Sequence, residues 1–266
     1  MNIIVCVKQV TDPEAPPSSS KIDTAANKVV PPADIPPVLD PYSEYAVEAA
    51  LRLKDSHGGT VTAISVGTGF LKDVIKKPLA MGADELILLD DVAFADGDSW
   101  STANALAAAI KKIGDYDLIL CGRQSADWDA GQVGCGIAEL LGLPVVTLAR
   151  KIDITDGKAK VERVTTDGYE VIETPLPAVI TVSNEIGEPR YSTIRGIMAS
   201  KKKETAVWKP SDIGLEPSQV GDAGRRCRVV KLSQPQREGS CQMIDGDTPE
   251  EAAVNLADRL KQEKLL

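Results

Sequence analysis

The chain has 266 residues and a formal net charge of −9 at pH 7; 43% of its residues are hydrophobic, 26% are charged and only 4% are aromatic. The length allows one large domain with an appendage, because single cores stop growing at about 250–300 residues, and the negative charge argues against binding to nucleic acid or to an anionic membrane. No apolar run approaches the roughly 18 residues of a spanning helix, and the N-terminus enters a strand-like run at once, so we expect a cytoplasmic protein without membrane insertion.

Short apolar runs alternate with segments of helical spacing over the first 150 residues. The runs, rich in Val, Ile or Leu, predict strands at 2–10, 60–66, 85–90, 117–121 and 144–149. The spacing between them predicts helices at 42–56, 70–81, 100–113 and 131–142. Because strands alternate with helices, we expect an α/β fold with a doubly wound, mostly parallel sheet and right-handed crossovers.

The predicted helix 42–56 has an apolar and a polar side. One stripe carries Ala46, Ala49, Ala50 and Leu53, and the other side carries Glu44, Glu48, Arg52 and Asp55. The spacing therefore predicts an amphipathic helix with the apolar residues on one stripe and the charged residues largely on the other.

Two segments interrupt this rhythm. The segment 11–41 is rich in proline, which predicts a long excursion with little helix and leaves room for a short hairpin around 20–30. Between about 150 and 183, polar and apolar residues alternate around a Thr-Asp-Gly turn, which predicts a small antiparallel addition that the apolar run 178–182 completes.

The C-terminal quarter has a different character. Lysines occupy 201–203, the region 204–248 has no sustained periodicity, and 249–265 returns to helical spacing behind Thr248 as N-cap. We therefore divide the chain into an α/β domain at 1–200 and an extended arm with a helix at 201–266. This arm either wraps a partner or packs on its own domain, and the lysines form either a solvated loop or a contact to an acidic partner.

Common catalytic and metal motifs are absent from the sequence. The five cysteines include no Cys-x-x-Cys pair and His57 is the single histidine, so we expect reduced, structural cysteines, no metal site, and His57 as a residue of a helix C-terminal turn. Neither a Walker loop, a Gly-x-Gly-x-x-Gly fingerprint nor a Gly-x-Ser-x-Gly elbow occurs.

We therefore expect ligand-binding residues where strands end, because open parallel sheets bind ligands beyond the carboxyl ends of their strands. Three such junctions stand out, at 6–9, 65–69 and 121–134. The last has glycines at 122, 131 and 134 and enters a helix, which favours a phosphate site at the helix N-terminus. Its two aspartates would repel a phosphate unless they cap amides or bind a ribose, and an ordinary strand-to-helix turn remains the alternative.

Several segments resemble one family when taken together. They are 79–84 (Leu-Ala-Met-Gly-Ala-Asp), the 122–134 loop, 176–179 (Leu-Pro-Ala-Val), 188–191 (Glu-Pro-Arg-Tyr) and 196–198 (Gly-Ile-Met) with the lysines that follow. In this order they resemble the beta subunit of electron-transfer flavoproteins, from residue 1 to about 210. The resemblance implies an adenine nucleotide alpha-hydrolase-like fold, a heterodimer with an alpha subunit that holds the redox FAD, and electron transfer with acyl-CoA dehydrogenase-type flavoenzymes.

The resemblance also implies one of two nucleotides in this subunit. One kind of beta subunit holds AMP; the other holds a second FAD that accepts hydride from NADH and bifurcates its electrons. Arg123 and the Gln-Val-Gly at 132–134 are more similar to the second kind, whereas Ser125, Trp128 and Gly131 depart from both. Arg123 would favour a reduced, anionic flavin.

Carried over by position, the resemblance implies seventeen cofactor contacts. They are Cys6, Lys8, Asp40, Ser43, Ser65, Val66, Gly67, Arg123, Gln124, Ser125, Asp127, Asp129, Ala130, Gly131, Gln132, Val133 and Gly134.

The resemblance further implies a recognition loop at 189–203 that anchors the dehydrogenase. Its expected contacts are Pro189, Arg190, Ile194, Arg195 and Met198, with Ile194 as the apolar anchor in a charged rim. A stand-alone nucleotide-binding sensor of the same sheet architecture is the alternative from another class, but such a protein has no use for the 176–203 segment. An autonomous dehydrogenase has no candidate acid–base machinery here.

Overall fold

A nine-stranded sheet organises Met1–Val230, the first of two units; Lys231–Leu266 is the second. The computed structural model describes residues 1–234, 239 and 241–266. The strands are β1 Asn2–Cys6, β2 Gln9–Val10, β3 Lys21–Asp23, β4 Lys28–Val30, β5 Val38–Leu39, β6 Thr60–Gly67, β7 Glu85–Asp90, β8 Leu118–Gly122, β9 Val145–Thr155, β10 Lys158–Thr165, β11 Gly168–Pro175, β12 Ala178–Val182 and β13 Ala206–Trp208. The helices are α1 Pro41–His57, α2 Lys72–Ile75, α3 Lys77–Met81, α4 Ser99–Ile113, α5 Val133–Leu141, α6 Ile194–Lys202, α7 Gly221–Gly224 and α8 Pro249–Gln262.

The strand order β11-β10-β9-β12-β8-β1-β6-β7-β13 confirms the doubly wound, mostly parallel sheet. The pairs from β9–β12 through to β7–β13 are parallel, and β9, β10 and β11 pair antiparallel. Successive residues of β1 alternate between two core clusters: Ile3 and Val5 join the side that includes α1, and Ile4 and Cys6 join the side that includes α4. The central strands are therefore buried on both faces, as their continuous apolar runs predict.

The helices begin and end at residues with clear signals. In α1, Asp40 caps the first turn by accepting from the Ser43 amide, Pro41 occupies the start, and His57 lies in the last turn as expected. The predicted helix 70–81 is two short helices instead, because Pro78 at the start of α3 cannot donate to a preceding carbonyl.

The antiparallel addition differs from the expectation in one strand. The hairpin partners β10 and β11 are antiparallel, but β12, which was expected to complete this addition, lies parallel between β9 and β8. The predicted strand 144–149 continues into β9, so one 11-residue strand belongs to both parts of the sheet.

Small pairs of strands lie outside the main sheet. Strands β3 and β4 form the hairpin expected around 20–30, and β2 pairs with β5 across the proline-rich excursion. Among the described residues, no helix is long and apolar enough to span a membrane.

The division of the chain falls later than the expected boundary at residue 200. Strand β13 adds to β7 at the sheet edge, and Ile213 and Val220 are buried in the core cluster beside α4, so the first unit continues to Val230. In the second unit, Thr248 caps α8 by accepting from the Glu251 amide, as predicted.

The five cysteines are free, but only two are structural core residues. Cys6 and Cys121 are buried in neighbouring strands, whereas Cys135, Cys227 and Cys241 are exposed. The expectation of five structural cysteines is therefore wrong for the last three.

Candidate nucleotide site and docking surface

The strand order reverses at β1, which places a crevice between β1 and β8. The chain leaves β1 through α1 to β6 on one side and returns through α4 to β8 on the other. Such a reversal separates the loops beyond two adjacent strands and is where open α/β sheets bind ligands. The expected contacts in 6–8 and 122–134 follow these two strands, and Ser65, Val66 and Gly67 end β6 on the other side of β1.

A buried aspartate fastens the loop after β8 to the start of α1. One carboxylate oxygen of Asp40 accepts from the Ala126 amide at 2.8 Å, and the other accepts from the Ser43 amide at 2.8 Å and its hydroxyl at 3.0 Å. Burial raises the pKa of Asp40, against the lowering effect of these hydrogen bonds and of Lys8. Asp40 and Ser43 therefore shape the site by holding its loop.

Lys8 neutralises the first loop aspartate. Its Nζ lies 2.8 Å from Asp127 and 3.3 Å from the Ser125 hydroxyl, and its amide donates to Ser43 Oγ at 3.1 Å. Both ends of the ion pair are partly exposed, so we expect it to contribute little stability by itself.

The second loop aspartate, Asp129, accepts from Gln124 Nε2 at 2.7 Å and has a φ of 50°. Asp127 is thus paired with Lys8 and Asp129 with Gln124 of the loop, and both contacts reduce the repulsion that the two aspartates would exert on a phosphate. Ala130, Gly131 and Gln132 are exposed between Asp129 and α5.

The N-terminus of α5 is available for an anion. Gln132 does not cap it, and among the described residues its first amides donate to no intrahelical or side-chain partner. Three glycines shape the loop and the start of α5. Gly131 has a φ of 61°, which favours glycine. A Cβ on Gly134 would lie 2.6 Å from Thr181 Cγ2, and one on Gly122 would lie 2.7 Å from Tyr42 Cβ, so these two glycines let the loop and the helix pack closely on their neighbours. Val133 opens the helix beside them.

Arg123 supplies a cation without a carboxylate partner. Its guanidinium lies 5.4 Å from the Tyr42 ring and makes long hydrogen bonds to Gln124 at 3.3 Å and Ser183 at 3.5 Å. Within residues 1–234, 239 and 241–266, no ion pair engages it. A hydrogen bond from Ser183 lowers the pKa of Glu185, and Arg123 contributes to that shift at longer range.

Three polar side chains lie at the base of the crevice. Cys6 and Cys121 face each other in register, and their hydrogen bond together with burial raises the pKa of the Cys6 thiol, which therefore stays neutral. The buried hydroxyl of Ser65 has no hydrogen-bond partner among the described residues. A buried polar group of this kind is expected to be satisfied by a ligand or water.

The expected recognition loop contains a helix. Thr193 caps α6 by accepting from the Gly196 amide, and Ile194, the expected anchor, is 80% exposed. Tyr191, Arg195 and Met198 are also exposed. The segment therefore presents apolar side chains on a formed helix.

Arg190 was expected to contact a partner, but its guanidinium is bonded within the chain. It reaches Glu48 at 2.8 Å and Asp55 at 2.9 Å, while Pro189 is half-buried beside it. Glu48 is 3% exposed, so it is buried although it falls on the polar stripe of the helix. The helical spacing could not reveal the burial of Glu48, because its partner Arg190 is 142 residues away in the sequence.

Together these features define an α/β protein with a crevice beyond the carboxyl ends of its parallel strands and a separate helix that exposes apolar side chains. The family model for the "Electron transfer flavoprotein domain" matches residues 29–213, and the chain belongs to the electron-transfer flavoprotein family. It is 40% identical to caffeyl-CoA reductase-Etf complex subunit CarD of Acetobacterium woodii, with both chains covered completely. It is 39% identical to electron transfer flavoprotein subunit beta of Thermoanaerobacterium thermosaccharolyticum and 34% identical to acryloyl-CoA reductase electron transfer subunit gamma of Anaerotignum propionicum, again over 100% of each chain.

These matches confirm the resemblance to the beta subunit. Family membership implies flavin-dependent electron transfer, an alpha subunit as partner and flavoenzymes as redox partners. The alternative of a stand-alone sensor is not supported, because the similarity to these subunits extends over the entire chain. The cytoplasmic location stays a prediction.

Proposed function

We propose that this chain is the beta subunit of a heterodimeric electron-transfer flavoprotein that holds a FAD of its own, accepts hydride from NADH and bifurcates the electrons. The choice of FAD is supported by Arg123. Its guanidinium lies at the crevice between β1 and β8 and has no carboxylate partner among the described residues. A FAD in the alpha subunit completes the heterodimer.

The residues of the crevice fit a dinucleotide. The first amides of α5, with Gly131 and Gly134 beside them, suit a phosphate, and the unpartnered Ser65 hydroxyl offers a hydrogen bond at the strand ends. FAD supplies the hydride and single-electron chemistry when bound. The chain supplies position and charge: Asp40 holds the loop, and Arg123 favours an anionic ligand.

The redox partner is proposed to be a flavoenzyme that acts on an acyl-CoA. Two relatives that match over their full length are named as subunits of a caffeyl-CoA reductase complex and of an acryloyl-CoA reductase. We assign its docking to α6, where Ile194 and Met198 are exposed next to Arg195. Burial of an apolar anchor supplies affinity and the charges around it increase the association rate.

The second unit is proposed to contact the alpha subunit. It contains α8, whose helical spacing gives it one apolar stripe. Truncating the chain after Val230 should weaken heterodimer formation while the first unit retains its fold, and co-purification of the two subunits measures this.

The decisive experiment counts nucleotides in the heterodimer. The chain is co-expressed with its alpha subunit, purified, and its flavin and AMP are quantified after denaturation. Two flavins per heterodimer, both reduced by NADH, are expected. One flavin together with released AMP would refute the second FAD and establish the AMP-binding alternative.

The docking assignment is tested with Ile194→Ala. Burying an isoleucine contributes about 1.5–3 kcal/mol, so its truncation should raise the KM for the acyl-CoA flavoenzyme about tenfold. Flavin content should not change, because Ile194 lies on α6 and not at the crevice. Val92→Ala is the matched control, since Val92 is another exposed aliphatic residue outside α6. Equal KM values for the parent and Ile194→Ala would remove the assignment.

A further inference from the structure

A buried carboxylate in the middle of α1 binds two arginines. Glu48 accepts from Arg190 Nε at 2.8 Å, the Arg190 amide at 3.0 Å and Arg190 Nη2 at 3.4 Å, and from Arg52 Nε at 2.7 Å. Burial alone would raise the pKa of Glu48, but the hydrogen bonds from the arginines outweigh it and lower the pKa. The carboxylate is therefore ionised and fully engaged at neutral pH.

The same arginines extend this interaction to the polypeptide that leads into α6. Arg52 donates to the Ile186 carbonyl at 2.7 Å and to the Glu188 carbonyl at 3.0 Å, while Arg190 also pairs with Asp55 at 2.9 Å. Glu48 orients both guanidinium groups, so the backbone from 186 to 190 is fastened to α1 at several points. Planar guanidinium groups suit such a role because several donors lie in one fixed plane.

Helix α6 is also held at its other end. Lys76 Nζ donates to the Ser200 carbonyl at 3.3 Å and to the Lys203 carbonyl at 2.7 Å. Between the two ends, Gly196 lies against Ala80, where an added Cβ would be 2.3 Å from the carbonyl oxygen. The helix is thus packed on its inner side.

The exposed side of α6 depends on the attachment of the segment 186–190 to α1. Ile194 follows Arg190 by four residues, and Thr193 between them caps the helix. A change in the path of 186–190 therefore changes where the helix starts and where Ile194 points. A surface that is formed before binding avoids the free-energy cost of ordering it during association.

We propose that Glu48 is a positioning residue for docking: through Arg190 and Arg52 it holds the segment 186–190 on α1 and so presents α6 in the form that the redox partner binds. This inference rests on the proposed function of α6. Without Glu48 the binding-competent arrangement is populated less, and the apparent affinity for the partner decreases by the same fraction.

The test compares Glu48→Gln with the parent in the complete heterodimer. A glutamine has the same shape but only one acceptor oxygen, so it cannot accept from both arginines as the carboxylate does. The KM for the acyl-CoA flavoenzyme is expected to rise about tenfold, because a smaller fraction of the molecules holds α6 in the arrangement that binds the partner. The kcat and the flavin content should not change, because the crevice is untouched. Amide hydrogen exchange should become faster at 186–198 and remain the same in the crevice.

Glu44→Gln is the control, because Glu44 lies in the same helix and pairs with Lys77 rather than with the docking segment. Arg190→Lys is the second variant; it keeps the charge but loses the planar donors, and it should raise KM in the same way. An unchanged KM and unchanged exchange in both Glu48→Gln and Arg190→Lys would overturn the inference. If Ile194→Ala leaves KM unchanged, the docking function of α6 fails; if it raises KM and Glu48→Gln does not, only the role of Glu48 fails.

Discussion

Replacing Gly134 with alanine should push α5 away from β12. The new Cβ would lie 2.6 Å from Thr181 Cγ2 and 3.5 Å from Cys121 Cβ, whereas carbon atoms in contact are about 3.5–4.0 Å apart. Relieving the closer contact requires a shift of about 1 Å, and overpacking of this kind costs about 1–3 kcal/mol. Alanine regains up to about 1 kcal/mol in helix propensity, so we expect a net loss of about 1–2 kcal/mol in unfolding free energy.

A second substitution removes the cause of the clash. Thr181→Ser deletes Cγ2 but keeps the hydroxyl that accepts from the Leu148 amide at 3.0 Å. The loss caused by Gly134→Ala should therefore be smaller in the Thr181→Ser background by about 1 kcal/mol or more, a coupling that a double-mutant cycle isolates. Nucleotide retention should decrease in Gly134→Ala, because the amides of α5 move, and recover in the double variant.

The assay is urea denaturation of the parent, the two single variants and the double variant, with nucleotide content measured on each purified protein. Gly142→Ala, at the other end of α5, is the matched control: its φ is 67° and no atom lies within 4 Å of the added Cβ. Its loss should come from backbone strain and be unaffected by Thr181→Ser. Additive effects of Gly134→Ala and Thr181→Ser, within about 0.5 kcal/mol, would refute the close packing of α5 on β12.

Three further predictions address charges. Arg123→Ala should reduce the flavin content or shift the flavin potential, and a redox titration that matches the parent would exclude the proposed role of Arg123. The pKa of Glu48 is lowered from 4.5 on folding, so the ionised Glu48 stabilises the fold above pH 4.5, and this stabilisation is lost as the pH falls through the folded pKa. In urea denaturation, the difference in unfolding free energy between the parent and Glu48→Gln should therefore shrink as the pH is lowered. Asp98→Ala removes the cap of α4 and the acceptor for the Arg226 and Cys227 amides. The free energy of unfolding should decrease by about 1–3 kcal/mol, and proteolysis near 226 should become faster. Equal cleavage rates in the variant and the parent would contradict the attachment of 226–227 to Asp98.

The parts of the fold that follow local rules could be predicted from the sequence. The apolar runs of the central strands and the start of α1 at Pro41 are examples, because burial on both faces and helix capping leave local patterns. The parallel pairing of β12 could not be predicted, since a short apolar run fits either orientation. Helix α6 could have been: Thr193 is an N-cap, and Ile194, Ile197 and Met198 have helical spacing.

Some features of the candidate site could also be predicted from the sequence, and others could not. The junctions at 6–9 and 122–134 were predictable, because parallel strands end at one edge of the sheet. The ionic contacts of Glu48 were not, because a charged residue in an otherwise amphipathic helix is assigned to solvent unless its distant partner is known. Asp40 is intermediate: the Asp-Pro pair at 40–41 is a local signal for a helix cap that the sequence prediction did not use, whereas the bond from the Ala126 amide depends on the tertiary fold.

Helix α1 connects the two functional regions. Asp40 at its start holds the loop of the crevice, and Glu48, eight residues later, holds the segment before α6. At 1.5 Å per residue, about 12 Å of helix separates them. The buried stripe of α1 packs on the sheet between these points, so the helix keeps the crevice and the proposed docking surface at a fixed distance. Because the two carboxylates act on different segments, removing the Glu48 charge should loosen docking and leave the nucleotide in place.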